Sequence, residues 1–123
     1  MATWILLEIS IPPLHVIKMI EVYLDEEGFK RVRVDEAFSV VASFLEQDVQ
    51  SGTEYINRLL GFVEQVEKGT RPLWRGTGNA HTVSITKNNV HIQNEYNEEA
   101  CEIDLETFKQ VLLIWRDAAI QNK

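Results

Sequence analysis

The chain has 123 residues, 45% of them hydrophobic, and its 19 acidic residues outnumber its 12 Lys and Arg, giving a formal net charge of −7. That composition fits one folded domain over 1–123 that buries roughly two thirds of the surface its unfolded chain exposes, and it excludes a disordered chain. It also excludes direct nucleic-acid binding and adhesion to an anionic membrane, because no basic excess exists to displace phosphate counterions.

Thr3–Ser10 is expected as a strand, and Pro12–Pro13 stops any regular ladder there. Met1–Ile11 has no Lys or Arg before its apolar run, which Glu8 interrupts, so it does not read as a secretory signal. No apolar stretch approaches the roughly 20 residues needed to cross a bilayer. Cys101 is the single cysteine, so no internal disulfide can form, and a cytoplasmic protein is expected.

Val16–Leu24 admits two readings. His15, Lys18, Glu21 and Asp25 have helical spacing, whereas Val16, Ile20, Val22, Tyr23 and Leu24 favour a strand. The strand is preferred, because Asp25-Glu26-Glu27-Gly28 then turns it into Phe29–Val34, which alternates. Asp35 is an expected N-cap for a helix with Phe38, Val41, Ala42, Leu45 and Val49 on one face. Ser51 and Glu54 have capping-box spacing before a second stripe of Ile56, Leu59, Leu60, Val63 and Val66, which Gly69 ends. Gly61, inside that helix, is expected to permit a close packing contact.

Thr70–Asn79 reads as a loop. Asn88–Asn89 is then expected to turn His81–Thr86 into Val90–Asn94 through left-handed conformations, pairing Ile85 with Ile92 and Val83 with Asn94. Ala100–Ile103 adds a short strand. Asp104 caps a last helix carrying Leu105, Phe108, Val111, Leu112, Trp115 and Ala119. The order predicts an α+β fold, a mainly antiparallel β-sheet packed against about three helices on one face.

Few patterns carry chemistry. His15, His81, His91 and Cys101 show no metal-ligand spacing, and the hairpin register puts His81 and His91 on opposite faces. Cys101 reads as a small buried hydrophobe facing the same way as Ile103. Trp74-Arg-Gly-Thr-Gly-Asn79 has helix before and strand after, the reverse of a phosphate-binding loop. No carboxylate pair is singled out by spacing. No catalytic, metal or cofactor site is therefore expected.

Charge is more informative. Glu95–Glu106 holds Glu95, Glu98, Glu99, Glu102, Asp104 and Glu106 without any Lys or Arg. It is either a solvated surface or a docking surface for a basic protein, with Tyr96 as an aromatic anchor. Trp74 is either a core plug or a second anchor. Candidate partner-binding residues are thus Glu95, Tyr96, Glu98, Glu99, Glu102 and Trp74.

Trp74-Arg75-Gly76, Gly78-Asn79-Ala80, Val83-Ser-Ile85, Val90-His-Ile-Gln-Asn94, Cys101, Ile103, Phe108, Val111, Leu112, Trp115 and Arg116 form a scaffold pattern. It resembles small bacterial immunity proteins of contact-dependent growth-inhibition type and similar uncharacterised bacterial proteins. The resemblance implies a cytoplasmic, non-enzymatic inhibitor that occludes a cognate basic toxin, such as a nuclease. It transfers no functional residue. The alternatives are a housekeeping protein-interaction domain or subunit, and a small enzyme. Oligomeric state stays open.

Overall fold

Alternating apolar residues make the first strands. In the computed structural model, which describes residues 2–6 and 19–118, Met19–Leu24 (β2) pairs antiparallel with Ala2–Leu6 (β1) and with Lys30–Val34 (β3). The strand reading of the ambiguous segment therefore holds from Met19 onward. The rest of it, and of the Thr3–Ser10 strand beyond Leu6, lies outside the described residues. Asp25 builds the β2–β3 turn. Its Oδ1 accepts the Glu27 and Phe29 N–H groups, each at 2.9 Å, and Gly28 supplies φ +88°.

A 3-10 turn (Glu36–Phe38), α1 (Ser39–Phe44) and a π turn (Leu45–Val49) follow as one helical run. The Asp35 carbonyl, rather than its side chain, takes the Phe38 N–H. The run ends at Gln50, whose φ 59° and ψ −154° lie beside a region almost reserved for glycine, at a cost of about 1–3 kcal/mol. Three bonds hold it there: its N–H to the Leu45 carbonyl, its Nε2 to the Gln47 carbonyl, and Trp115 Nε1 donating to its own carbonyl. This excursion delays α2 to Glu54–Lys68 with Thr53 at the N-cap and no side-chain cap bond. The expected Ser51–Glu54 capping box is therefore not formed. Gly69 ends α2 in the left-handed region, with Thr70 N–H on the Gln65 carbonyl and Gly69 N–H on that of Val66. At Gly61 a Cβ would meet nothing within 4 Å, so the expected close contact is absent.

The Thr70–Asn79 loop contains a strand. Leu73–Thr77 (β4) pairs with His81–Thr86 (β5). The glycines that suggested a loop serve close approach instead: the Trp74 indole lies over Gly76, where a Cβ would stand 2.5 Å from it. Val90–Asn94 (β6) and Ala100–Ile103 (β7) complete a four-stranded sheet in the order β4-β5-β6-β7. The β5–β6 register differs from expectation by two residues. Ile85 faces Val90, Val83 faces Ile92 and His81 faces Asn94. The turn sits one residue earlier, at Lys87–Asn88, because the Thr86 hydroxyl closes on Asn89, accepting its N–H and donating to its carbonyl. The pair needs no left-handed residue; among the described non-glycine residues only Gln50 and Glu98 have positive φ. A shift of two preserves the faces, so His81 still points inward and His91 outward.

The last helix, α3 (Leu105–Ala118), is capped as expected by Asp104 Oδ1 on the Thr107 N–H at 2.6 Å. The fold is α+β, with two antiparallel sheets rather than one sharing a single core with the helices. α1 touches β3 of one sheet and β6 and β7 of the other, while α2 packs on α3, β4 and β5. Phe44, Leu45, Phe108, Leu112 and Trp115 are essentially enclosed.

Candidate functional site

The acidic run acquires its shape from Asn94, the last residue of β6. Asn94 Oδ1 accepts the N–H groups of Tyr96 and Asn97 at 2.8 and 3.2 Å. Its backbone N–H reaches the Glu99 carbonyl, and its carbonyl accepts the Glu98 N–H. The Glu95 N–H donates to the Ala80 carbonyl, and that of Glu99 to Asn97 Oδ1. Every backbone N–H from Asn94 to Glu99 thus has an acceptor, and the left-handed φ of 65° at Glu98 is fixed by that network. The turn holds Tyr96 82% exposed, with Glu95, Glu98 and Glu99 exposed around it. Among the described residues, none of these three glutamates has an ion-pair partner. The backbone beneath this acidic surface is thus preordered, which confines the entropy cost of any docking to its side chains.

Beneath the turn lies a buried polar relay. Asn94 Nδ2 approaches His81 Nε2 at 3.5 Å, and Ser43 Oγ of α1 lies 3.0 Å from the same nitrogen. His81 Nδ1 is 3.1 Å from Asp48 Oδ1. The Asp48 carboxyl also accepts the Ala80 and His81 backbone N–H groups, both at 3.0 Å. With Asp48 as acceptor, Nδ1 carries the proton and Nε2 presents a lone pair to its two donors. The π turn aims Asp48 at the β4–β5 turn, and Gly78 makes room for it; a Cβ there would lie 2.5 Å from Asp48 Oδ2. The hydroxyl–imidazole–carboxyl order is that of an acyl-transfer triad. Here, however, the imidazole is 0% exposed, and the Phe44 ring packs edge-on against it at 5.9 Å. The relay instead ties α1, the π turn and two strands together under the acidic turn.

The candidate residues separate into three groups. Glu95, Tyr96, Glu98 and Glu99 come together on the β6–β7 turn. Glu102 lies half-buried on the outward face of β7, opposite His91 and accepting a bond from Asn89 Nδ2. Trp74 belongs to the other edge of the sheet, half-buried, its indole stacked on Phe62 of α2 at 4.5 Å. Within the rest of the run, Asp104 is occupied in capping α3.

Sequence reasoning missed the joint role of Ser43, Asp48 and His81. The available signal was a polar pair, His81 and Asn94, on an otherwise apolar strand face. Cys101 is half-buried on that face with Ile103. Burial pushes its thiol up to about 11, which leaves it protonated and weakly nucleophilic near neutrality. Among the described residues, no three His, Cys, Asp or Glu side chains gather as a metal site, and no helix is long and apolar enough to cross a membrane.

Residues 20–118 match an uncharacterised protein family, UPF0231. No curated protein and no solved structure matches the chain.

Proposed function

The chain belongs to UPF0231, and we propose that it is a non-catalytic binding protein that occludes a basic protein partner, as an immunity protein blocks a nuclease toxin in the cytoplasm. The carrying observation is the β6–β7 turn: an exposed Tyr96 ringed by Glu95, Glu98 and Glu99, with every amide of the turn hydrogen-bonded. A basic partner is steered by the carboxylates and anchored by the aromatic ring. The acidic net charge acts in the same direction, and the scaffold resemblance names a class of partner.

The test begins with capture from the native cell and identification of the partner by mass. The reading expects a basic protein whose nuclease activity falls in stoichiometric proportion to added chain. Reversing Glu95, Glu98 and Glu99 to Lys is expected to slow association at low salt and flatten its salt dependence. Tyr96→Ala is expected to speed dissociation. Unchanged binding in both variants overturns this surface, and a partner that retains its activity in the complex overturns occlusion.

A further inference from the structure

A second place in the molecule forms a hollow that shares no residue with the acidic turn. This hollow, of about 470 Å³, lies between the edge of β3 and the chain leaving the π turn, lined by Phe29, Lys30, Arg31, Glu46, Gln50, Ser51 and Gly52. Its volume is in the range of small-molecule sites, roughly 300–1,000 Å³.

The walls combine three unusual features. Lys30, on the inward face of β3, is only 6% exposed. Its Nζ donates to the Trp115 carbonyl at 2.9 Å and sits 4.3 Å from the centre of the Trp115 ring. Among the described residues no carboxylate makes an ion pair with it. Gln50 holds its strained backbone on the opposite wall, fixed through Trp115 Nε1. Phe29 leaves its ring 57% exposed, with the Arg31 guanidinium 5.9 Å from its centre.

We propose that this hollow binds a small organic carboxylate bearing a planar apolar group, the carboxylate received by Lys30 and the planar group lying on Phe29. The buried Lys30 ammonium selects an anion. Glu46 is already committed, Oε2 to the Val32 N–H and Oε1 to Arg31, and Asp25 takes the Arg31 Nε–H. Among the described residues, Lys30 is the cation of this hollow that has no ionic partner. Burial lowers it to about 8; Arg31 and Glu46 share its hollow, and α3 offers it a neutral carbonyl. A carboxylate beside it restores the charged form, so binding takes up protons near pH 8.

The test uses phenylacetate as the probe, with phenethylamine and inorganic phosphate in parallel, titrated into the isotopically labelled full chain. Phenylacetate is expected to shift the Trp115 indole N–H and the amides of Gln50, Ser51 and Gly52. Phenethylamine is expected to leave them in place. Calorimetry in two buffers at pH 8 is expected to show proton uptake with phenylacetate. Lys30→Met should weaken binding at least tenfold and abolish the uptake. Because Lys30 also holds the end of α3, Phe29→Ala serves as a second variant; it should weaken binding severalfold while keeping the uptake. An equal response to the amine, a response to phosphate alone, or silence of these four signals overturns the proposal. None of these outcomes bears on the acidic turn.

Discussion

Asp48→Ala removes one carboxyl group and strands three buried donors: the Ala80 and His81 backbone N–H groups and His81 Nδ1–H. Hydrogen bonds to a charged acceptor contribute about 1.5–3 kcal/mol each. Relief from burying the carboxyl offsets part of that sum, leaving a loss of about 4 kcal/mol. Against a total stability of about 5–15 kcal/mol, this is a large fraction. Urea unfolding followed by circular dichroism measures it. With a slope of about 2 kcal/mol per molar, the midpoint falls by about 2 M at unchanged slope. Asp48→Asn, which keeps one acceptor oxygen, is expected to lose roughly half as much. A loss below about 1 kcal/mol in Asp48→Ala would refute the claim that this carboxyl clamps the β4–β5 turn.

The two helical and turn glycines should respond in opposite ways. Gly61→Ala gains about 0.5–1 kcal/mol in the same assay, because its Cβ meets open space. Gly78→Ala destabilises, since its Cβ would collide with Asp48 Oδ2. Asp104→Ala is expected to cost about 1 kcal/mol through loss of the α3 cap. For pH, Lys30 is lowered from 10.5 to about 8 in the folded chain. The unfolded chain therefore binds the proton more tightly, and stability rises with pH from about 8 towards 10.5. Melting curves from pH 8 to about 10, below most tyrosine titration, are expected to show that rise in the wild type, and Lys30→Met should flatten it.

Periodicity made most of the fold readable. The β2–β3 hairpin, the stripes of α1 to α3, the β5–β7 strands and the Asp104 cap all rest on residues within a few positions of each other. What stayed hidden depends on distant partners. Leu73–Thr77 looks like loop until Phe62 of α2 supplies a ring for Trp74 to stack on. The capping box at Ser51 was locally sound and lost to Gln50, whose conformation is fixed from α3 by Trp115. Within the site, charge and aromaticity pointed to the β6–β7 turn. Splitting off Glu102 and Trp74 required the sheet register. The Asp48–His81 relay joins residues 33 positions apart, and no local pattern announces such a contact.

The two sheets share a property with a kinetic consequence. Among the described residues, every strand pairing joins strands consecutive in the chain, in the orders β1-β2-β3 and β4-β5-β6-β7. The β2–β3 hairpin and the β4–β7 meander can therefore find their register through short loop closures, which cost little entropy and proceed quickly. The slow part of folding then falls on the clasps between distant segments: Asp48 reaching the β4–β5 turn, and Lys30 reaching Trp115 across 85 positions. Side chains that join the halves, rather than the strands themselves, are the ones that complete the native state.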